Sequence, residues 1–420
     1  MLKTILKNRQ VVAWAMYDWA NSAFATTVMA GFFPIFFKKY WAAGLSANDS
    51  TFYLGLGNST ASVLILLLAP LLGAIADRCL IRKRLLLLFA LLGCVMTALL
   101  YWVEQGAWIA AISLYTVAIF GFMAANVFYD ALIVTVCELE ERELVSSLGY
   151  ALGYLGGGLL FSINVAMTLQ PAWFGITDAG EAVKLSFLSV AIWWLLFSIP
   201  LMRALREKQR LTLNGVTMSR ALSRFRVSIA RILRHHVLAL FLLAYWFYID
   251  GLDTIVRMAV DYGLALGLSQ SSLILALIIT QFVGFPATLI IGRFVATHRI
   301  ISGLYFGIAA YLIMVVFAFF MDSEWEFYLL AVGVGLVQGS VQALSRAYYA
   351  SLVPAKQVAG YFGFYNMMGK SAVILGPLLI GVVVRVSDSH RWGILSVSLL
   401  FIIGLLLLRR VDALSKLGRV

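Results

Sequence analysis

The first apolar stretch of this 420-residue chain carries a carboxylate. Asp18 and Asn21 lie within a mostly apolar run from about Val11 to Phe37. A charged side chain at the centre of a membrane helix costs roughly 2.5–3.5 kcal/mol on insertion scales, so it usually faces a protein interior or an aqueous path. An acid and an amide in such a path can bind a proton or a polar solute. The alternative is structural, with Asp18 hydrogen-bonded to Asn21, Ser22 or nearby backbone.

A second group of charges interrupts a later apolar stretch. Asp250, Asp253 and Arg257 are spaced i, i+3 and i+7, which places them on one face of a helix. Asp253 and Arg257 can neutralise each other, which would leave Asp250 to bind substrate or a proton. Lys370 is a single lysine in another apolar stretch, where it needs an acidic partner or an anionic ligand. A zwitterion would satisfy both signs, with Asp18 or Asp250 at its ammonium group and Lys370 at its carboxylate.

Other polar side chains share these apolar stretches. The candidate residues for binding substrate or a proton are therefore Asp18, Asn21, Asp250, Asp253, Lys370, Gln342, Asn366, Tyr17 and Tyr365. The four histidines fall between the apolar stretches, so neither a metal nor another cofactor is expected.

These side chains must be positioned by membrane-spanning helices. The chain is 62% hydrophobic and 12% charged, with a mean hydropathy of +0.93, whereas soluble proteins average roughly 45–50% apolar and about 25% charged residues. A helix needs about 20 apolar residues to cross a bilayer. Twelve stretches approach or exceed that length, at about 11–37, 53–76, 85–103, 107–129, 147–169, 184–202, 237–258, 271–292, 300–321, 326–349, 361–386 and 392–408. We therefore predict an all-α polytopic membrane protein.

The basic residues indicate an orientation. If both termini are cytoplasmic, 24 of the 32 Lys and Arg residues fall in the termini and cytoplasmic loops, six fall on the other side, and Arg346 and Lys370 lie within spans. This asymmetry follows the positive-inside rule. It explains the net charge of +12 without a nucleic-acid partner. The compact loops favour a bacterial inner membrane, and we expect a monomer within the lipid bilayer.

The longest polar segment divides the spans six and six. We predict an N-terminal six-helix bundle at 1–202, a basic cytoplasmic linker at 203–236 and a C-terminal bundle at 237–420. The halves align weakly, as expected for an internal repeat. An offset of 232 residues places Asp18 on Asp250, and an offset of 216 places Asp130 on Arg346. The first offset sets Asp250 deeper in its helix than Asp18, unless that helix begins near Leu240 or is broken in its outer half.

The segment after the second span has the features of a conformational latch. It reads Gly73-Ala-Ile-Ala-Asp77-Arg78, followed by a basic cluster that includes Arg82. This pattern resembles the signature loop of the major facilitator superfamily, although the usual second glycine is missing. The resemblance implies a gate that latches the cytoplasmic side, while a plain basic anchor is the alternative. The candidate gate residues are Gly73, Asp77, Arg78, Arg82, Asp130 and Arg346, with Asp130 as the expected partner of Arg78 or Arg82.

Four segments together resemble a narrower family. They lie at Trp14–Phe24, Tyr245–Met258, Gln338–Arg346 and Gly360–Pro377. They are similar to the signature segments of the vacuole-effluxer-like family within the major facilitator superfamily. The resemblance implies two pseudo-symmetric six-helix bundles around a central cavity, and its fungal members imply amino-acid export. The chain departs from the family at Asp253, where an uncharged polar residue is usual.

The expected function is therefore secondary transport. We expect a small polar solute, with an amino acid or similar zwitterion favoured, to cross the membrane by alternating access, with protons as a candidate coupling ion. A multidrug or siderophore-type facilitator is an alternative, and a non-transporting membrane sensor is an alternative of another class. An enzyme is not expected, because no nucleophile–base pair or metal-ligand cluster is visible in the sequence.

Overall fold

The computed structural model describes residues 7–79, 82–138, 141–205, 234–295, 300–352, 364–365, 368–369 and 372–417. Every regular element in these ranges is helical. The first half contributes α1 (Arg9–Trp41), α2 (Ala47–Cys79), α3 (Arg82–Leu99), α4 (Trp108–Val136), α5 (Arg142–Leu169) and α6 (Ala179–Ala204). The second half contributes α7 (His236–Ala265), α8 (Gln270–Val295), α9 (Ile300–Phe320), α10 (Glu324–Leu352), α11 (Leu375–Ser387) and α12 (His390–Ser396 continued by Ser398–Leu417).

The helices confirm the predicted fold class. Within the described ranges, eleven helices are long and apolar enough to cross a membrane, and α11 is a shorter apolar helix. The first helix continues to Trp41, beyond the predicted end near Phe37. The eleventh span was predicted at 361–386. Residues 364–365 and 368–369 are helical, residues 372–374 are not, and α11 runs from Leu375 to Ser387.

The two halves repeat the same packing. Helix α1 packs on α6 as α7 packs on α12, and α3 packs on α4 as α9 packs on α10. The pairs α2–α4 and α3–α6 likewise correspond to α8–α10 and α9–α12. Between the halves, α2 packs along α11 and α5 packs along α8. The boundaries of the cytoplasmic linker stay a prediction, because residues 206–233 lie outside the described ranges.

Helix α1 departs from regular α-helical winding. Its segments Phe24–Phe32 and Phe37–Trp41 are π-helical, and α-helical residues Phe33–Phe36 lie between them. Pro34 is the second residue of that inner segment, where its missing N–H disturbs the hydrogen-bond ladder. Such π-helical turns are uncommon and occur frequently at functional sites. The first of these segments contacts α7 and α8 of the second half.

Two glycines set the distance between α1 and α5. A Cβ atom at Gly156 would lie 2.5 Å from the carbonyl oxygen of Trp19, and one at Gly157 would lie 2.9 Å from that of Ser22. Larger residues would therefore force the helices apart. Small residues allow this close backbone approach, a common feature of membrane helix pairs.

For clarity, the end of the bundle where α1 begins is called the basic end, and the end where α1 finishes at Trp41 is called the opposite end. The basic end carries the cluster at Arg82, Lys83 and Arg84 and the pair at Arg409 and Arg410.

Candidate substrate pathway between the two halves

Asp18 lies among aromatic residues of its own half. A Cβ atom at Gly149 of α5 would lie 2.9 Å from Asp18 Oδ2 and 3.0 Å from the Tyr129 hydroxyl of α4. Trp14 stacks on Tyr129 with ring centroids 4.3 Å apart and donates its indole N–H to the Tyr129 carbonyl at 3.0 Å. Asp18 is half-buried at this junction of α1, α4 and α5.

Asn21 and Tyr17 point into the packed interior of the first half. The Asn21 amide donates to Asn126 Oδ1 of α4 at 2.6 Å, and both side chains are buried. The Tyr17 hydroxyl accepts a hydrogen bond from the indole of Trp194 in α6 at 3.4 Å. These contacts bind α1 to its own bundle, so their geometry favours structural roles in this conformation.

Asp250 caps the start of α11. Its Oδ2 accepts the backbone N–H of Leu375 at 2.8 Å, and its Oδ1 accepts that of Gly376 at 2.9 Å. Thr254 donates to the same Oδ1 at 3.2 Å. The preceding Ala372 and Val373 are not helical, so α11 exposes unpaired N–H groups within the bundle. A carboxylate satisfies these donors and the positive end of the helix dipole together.

The two aligned acids lie at different distances from the starts of their helices. Helix α7 runs unbroken from His236 to Ala265. The helix therefore neither begins near Leu240 nor is broken in its outer half, and both of these expectations are wrong. Asp18 is the tenth residue of α1 from Arg9, whereas Asp250 is the fifteenth of α7 from His236. Five residues of helix correspond to about 7 Å along its axis.

Arg257 crosses the boundary between the halves. Its Nη1 donates to Asn58 Oδ1 of α2 at 3.3 Å, and the arginine is only 7% exposed. Asp253, one turn earlier and half-buried, interacts with Arg257 electrostatically. Tyr115 of α4 is electrostatically coupled to the same guanidinium. The Tyr115 hydroxyl is buried, makes no well-formed hydrogen bond to the described residues and lies close enough to Asn58 to interact with it.

Two further polar contacts join the halves nearby. Gln281 of α8 donates to Thr26 Oγ1 of α1 at 3.2 Å, within the π-helical segment. Ser59 of α2 donates to the carbonyl of Ile374 at 2.8 Å, directly before α11. The boundary between the halves, called the seam below, is therefore polar at several levels.

Arg346 crosses the seam closer to the basic end. Its Nη2 donates to the Tyr150 hydroxyl of α5 at 3.4 Å, and its guanidinium lies 5.5 Å from the centre of that ring. Tyr365 stacks on Tyr245 and on Tyr349, with centroids 4.3 Å and 4.7 Å apart. The role of Arg346 in a gate stays a prediction.

The remaining gate residues are placed only in part. Arg82 donates to the carbonyl of Ala131 at 3.4 Å, next to the half-buried Asp130 at the end of α4. The backbones of Gly73, Asp77 and Arg78 belong to the last turns of α2, and their side chains lie outside the described part.

Three other predicted positions complete the placement. Gln342 is half-buried in α10. Lys370 and Asn366 lie outside the described residues. Among the residues that are described, no group of three or more His, Cys, Asp or Glu side chains is arranged to hold a metal ion.

An ion pair at the opposite end was not anticipated from the sequence. Lys38 Nζ of α1 lies 2.8 Å from Asp261 Oδ1 of α7, with 11% and 2% of the side chains exposed. Thr51 of α2 donates to Asp261 Oδ2 at 2.7 Å and lies 3.3 Å from His390 Nε2 of α12. In the sequence, this ion pair is indicated only by a lysine near the end of the first helix of one half and an acid near the end of the first helix of the other half.

Solved structures share this architecture. The chain resembles the xylose transporter XylE from E. coli in a partially occluded inward-open conformation, with a TM-score of 0.66, 14% identity and 95% of both chains covered. It also resembles a variant of the nucleoside transporter NupG, with a TM-score of 0.64, 13% identity, 97% of this chain and 98% of that chain. At these identities the likeness establishes the fold.

Sequence comparisons establish the family. The chain is 38% identical over 410 residues to the MFS-type transporter YxiO of Bacillus subtilis, covering 97% of this chain and 95% of that protein. It is 26% identical over 313 residues to autophagy-related protein 22 of Yarrowia lipolytica, covering 65% of this chain and 52% of that protein, so it spans about half of the fungal relative. The family model for Atg22-like vacuole effluxers matches residues 43–417. This chain is a transporter that belongs to the Atg22-like vacuole effluxer family of the major facilitator superfamily.

Proposed function

We propose that this transporter carries a small zwitterionic solute, such as an amino acid, across the membrane by alternating access. The observation that carries the proposal is the polar seam, where Arg257 meets Asn58, Gln281 meets Thr26 and Arg346 meets Tyr150. Polar groups buried in a membrane protein are costly, and intramembrane ionisable residues usually mark a solute or ion pathway. Helices that served only to pack against each other in lipid would not require buried polar side chains at their contacts.

Alternating access is supported by contacts at both ends of the seam. The Lys38–Asp261 ion pair joins the first helix of each half at the opposite end. The Arg346–Tyr150 contact joins α10 to α5 closer to the basic end. If the halves rock against each other, the contacts at one end of the seam must separate while the contacts at the other end stay formed. Each set uses side chains from both halves, as a gate of this kind requires.

The acids along the pathway are proposed to have different roles. Asp253 and Asp18 are half-buried, and they are our candidates for binding an ammonium group or a coupling proton. Asp250 is proposed to anchor α11, because two backbone N–H groups and Thr254 occupy its oxygens. Protonation of Asp250 would weaken those bonds and so could couple a proton to movement of α11. Lys370 remains a candidate for binding the carboxylate.

Solute flux tests the proposal. The purified full chain is reconstituted in liposomes and assayed with each of the twenty radiolabelled L-amino acids, both for uptake and for efflux from preloaded vesicles. We expect flux of at least one amino acid above that of protein-free liposomes. A proton gradient is expected to accelerate it, and Asp253→Asn is expected to reduce it at least about tenfold, since a charged hydrogen bond is worth roughly 1.5–3 kcal/mol.

The matched control is Asp412→Asn, which removes an acid that pairs with Lys416 on α12 away from the seam. It is expected to transport like the unmodified protein. Absence of flux with every amino acid, in either direction, would refute the zwitterion proposal. Xylose, a nucleoside and tetraphenylphosphonium are included as separate arms, and flux of the last would favour a multidrug facilitator. Binding of an amino acid without flux would favour a sensor.

The location of the protein is also part of this proposal. We propose the inner membrane of a bacterium with both termini in the cytoplasm, because the basic end carries the clusters at 82–84 and 409–410. Accessibility of single cysteines to a membrane-impermeant reagent, placed at position 416 and at position 104, tests the orientation in intact cells. Labelling of the first and not the second would refute it.

A further inference from the structure

We infer that Arg257, with Asn58 and Tyr115, forms the part of the substrate site that binds a carboxylate. This inference deepens the proposed function and rests on it, since it assigns the anion-binding half of the zwitterion site. Of the two candidate cations, Lys370 and Arg257, it assigns the carboxylate to Arg257. The three residues come from α7, α2 and α4, so the site lies on the seam between the halves.

The hydrogen bonding of Arg257 leaves room for an anion. A guanidinium has five N–H donors in a planar fork. The described residues offer it one hydrogen bond, a long contact of 3.3 Å to an uncharged amide oxygen. No ion pair joins Arg257 to a carboxylate in the described part of the chain. Asp253 interacts with the guanidinium electrostatically but forms no ion-pair contact with it. A closer anion supplied by a ligand would therefore stabilise this buried charge.

Tyr115 provides a second donor beside the guanidinium. Its side chain is fully buried. Its hydroxyl makes no well-formed hydrogen bond to the described residues, and Asn58 lies close enough to interact with it. Phe33 of α1 stacks on the ring with centroids 3.7 Å apart, which fixes its position. A phenol held in this way can donate to one oxygen of a carboxylate while the guanidinium donates to the other.

The spacing along α7 fits a zwitterion. Asp253 precedes Arg257 by four residues, and residues so spaced on a helix have Cβ atoms about 5–6 Å apart. An α-amino acid carries its ammonium and carboxylate on one carbon, so both charges can be met by one face of α7. Because Arg257 and Asn58 belong to different halves, an anion bound between them also responds to the relative position of the halves.

Ligand-dependent thermal stability tests the site directly. The purified full chain is mixed with each of the twenty L-amino acids, with the matching deaminated acids and with the matching α-amides, which lack the α-carboxylate. A ligand that binds the folded state raises the unfolding temperature. We expect carboxylate-bearing ligands to stabilise the protein and the matching amides to bind at least about tenfold more weakly, the loss of one charge-assisted hydrogen bond.

Variants separate this site from the rest of the protein. Arg257→Gln is expected to lose at least about tenfold in carboxylate affinity, and Arg257→Lys is expected to recover only part of it because the planar fork is missing. Asn58→Asp places a carboxylate against the guanidinium and should exclude the ligand while keeping the fold. Arg391→Gln removes the same charge from a half-buried arginine that pairs with Asp322 at the opposite end, and this variant should bind normally.

The outcomes are distinct. Equal binding of acids and amides, or unchanged affinity in folded Arg257→Gln or Asn58→Asp, would overturn the inference. Binding of deaminated acids that Arg257→Gln abolishes, without flux of any amino acid, would support the carboxylate site while refuting the zwitterion proposal. Amino-acid flux that is unaffected in Arg257→Gln and Asn58→Asp would support the zwitterion proposal while refuting the carboxylate site.

Discussion

Helices α1 and α7 occupy equivalent positions in the two halves and use their intramembrane acids differently. In α1, Asp18 lies beside Tyr129 and Gly149 of its own half. In α7, Asp250 holds the first N–H groups of α11. Helix α1 also contains π-helical segments, whereas α7 is α-helical throughout. The repeat thus preserves the residue type and changes the partner.

The partner helices explain this difference. Helix α5 runs from Arg142 to Leu169 without a break and lies against α1 through glycines, so its backbone needs no side-chain cap near α1. The described helix of α11 begins at Leu375, and its first N–H groups lie inside the bundle. Unsatisfied backbone donors are especially costly in a membrane. Of the two aligned acids, Asp250 therefore caps a helix of its half, whereas Asp18 caps none among the described residues.

The sharpest test of this comparison removes each acid in turn. Asp250→Ala leaves two buried N–H groups without acceptors, and we expect it to cost about 3 kcal/mol of stability. Asp18→Ala is expected to cost less, because Asp18 caps no helix terminus among the described residues. Thermal unfolding of the purified variants, followed by circular dichroism, measures the difference.

Asp250→Asn serves as the control for charge. It keeps one carbonyl oxygen that can accept a backbone N–H, so its unfolding temperature should lie between those of Asp250→Ala and the unmodified protein. Equal losses in Asp18→Ala and Asp250→Ala would show that the two helices do not differ as described.

A smaller effect is expected where α5 approaches α1. Gly156→Ala places a methyl group 2.5 Å from the Trp19 carbonyl oxygen, and the resulting helix displacement is expected to cost about 1–3 kcal/mol. The matched control is Gly158→Ala in the same helix, whose added Cβ would find its nearest neighbour, Gln281 Cβ, at 3.6 Å. Unfolding temperatures that fall equally in both variants would contradict the role of close packing at Gly156.

The smallest expected effect compares tyrosine hydroxyls of the two helices. Tyr248 of α7 shares a hydrogen bond of 2.7 Å with Ser345, whereas Tyr17 of α1 accepts one of 3.4 Å from Trp194. Tyr248→Phe is therefore expected to cost about 1 kcal/mol, and Tyr17→Phe less. Chemical denaturation of both variants compares them, and a greater loss in Tyr17→Phe would reverse the predicted order.

The sequence could predict much of the fold and the location of the unusual charges. Hydrophobic length alone gave the spans, because a bilayer of fixed thickness demands it. Asp18, Asp250 and Arg257 were recognisable because charges are rare in such stretches. The hydrogen-bond partners of such intramembrane polar residues could not be recognised. Asn126 is 105 residues from its partner Asn21, and Asn58 is 199 residues from its partner Arg257. Weak internal similarity cannot specify contacts at such separations.

By itself, the sequence determined that the chain is a twelve-helix membrane protein with two related halves and with acids inside its spans. Composition and the length of the apolar stretches suffice for this, because the bilayer constrains every span in the same way. Only the tertiary structure decided that Asp250 caps α11, that Arg257 reaches Asn58 and that Lys38 pairs with Asp261. These partners depend on how helices distant in the chain pack, and hydrogen bonds and ion pairs require contact within a few ångströms.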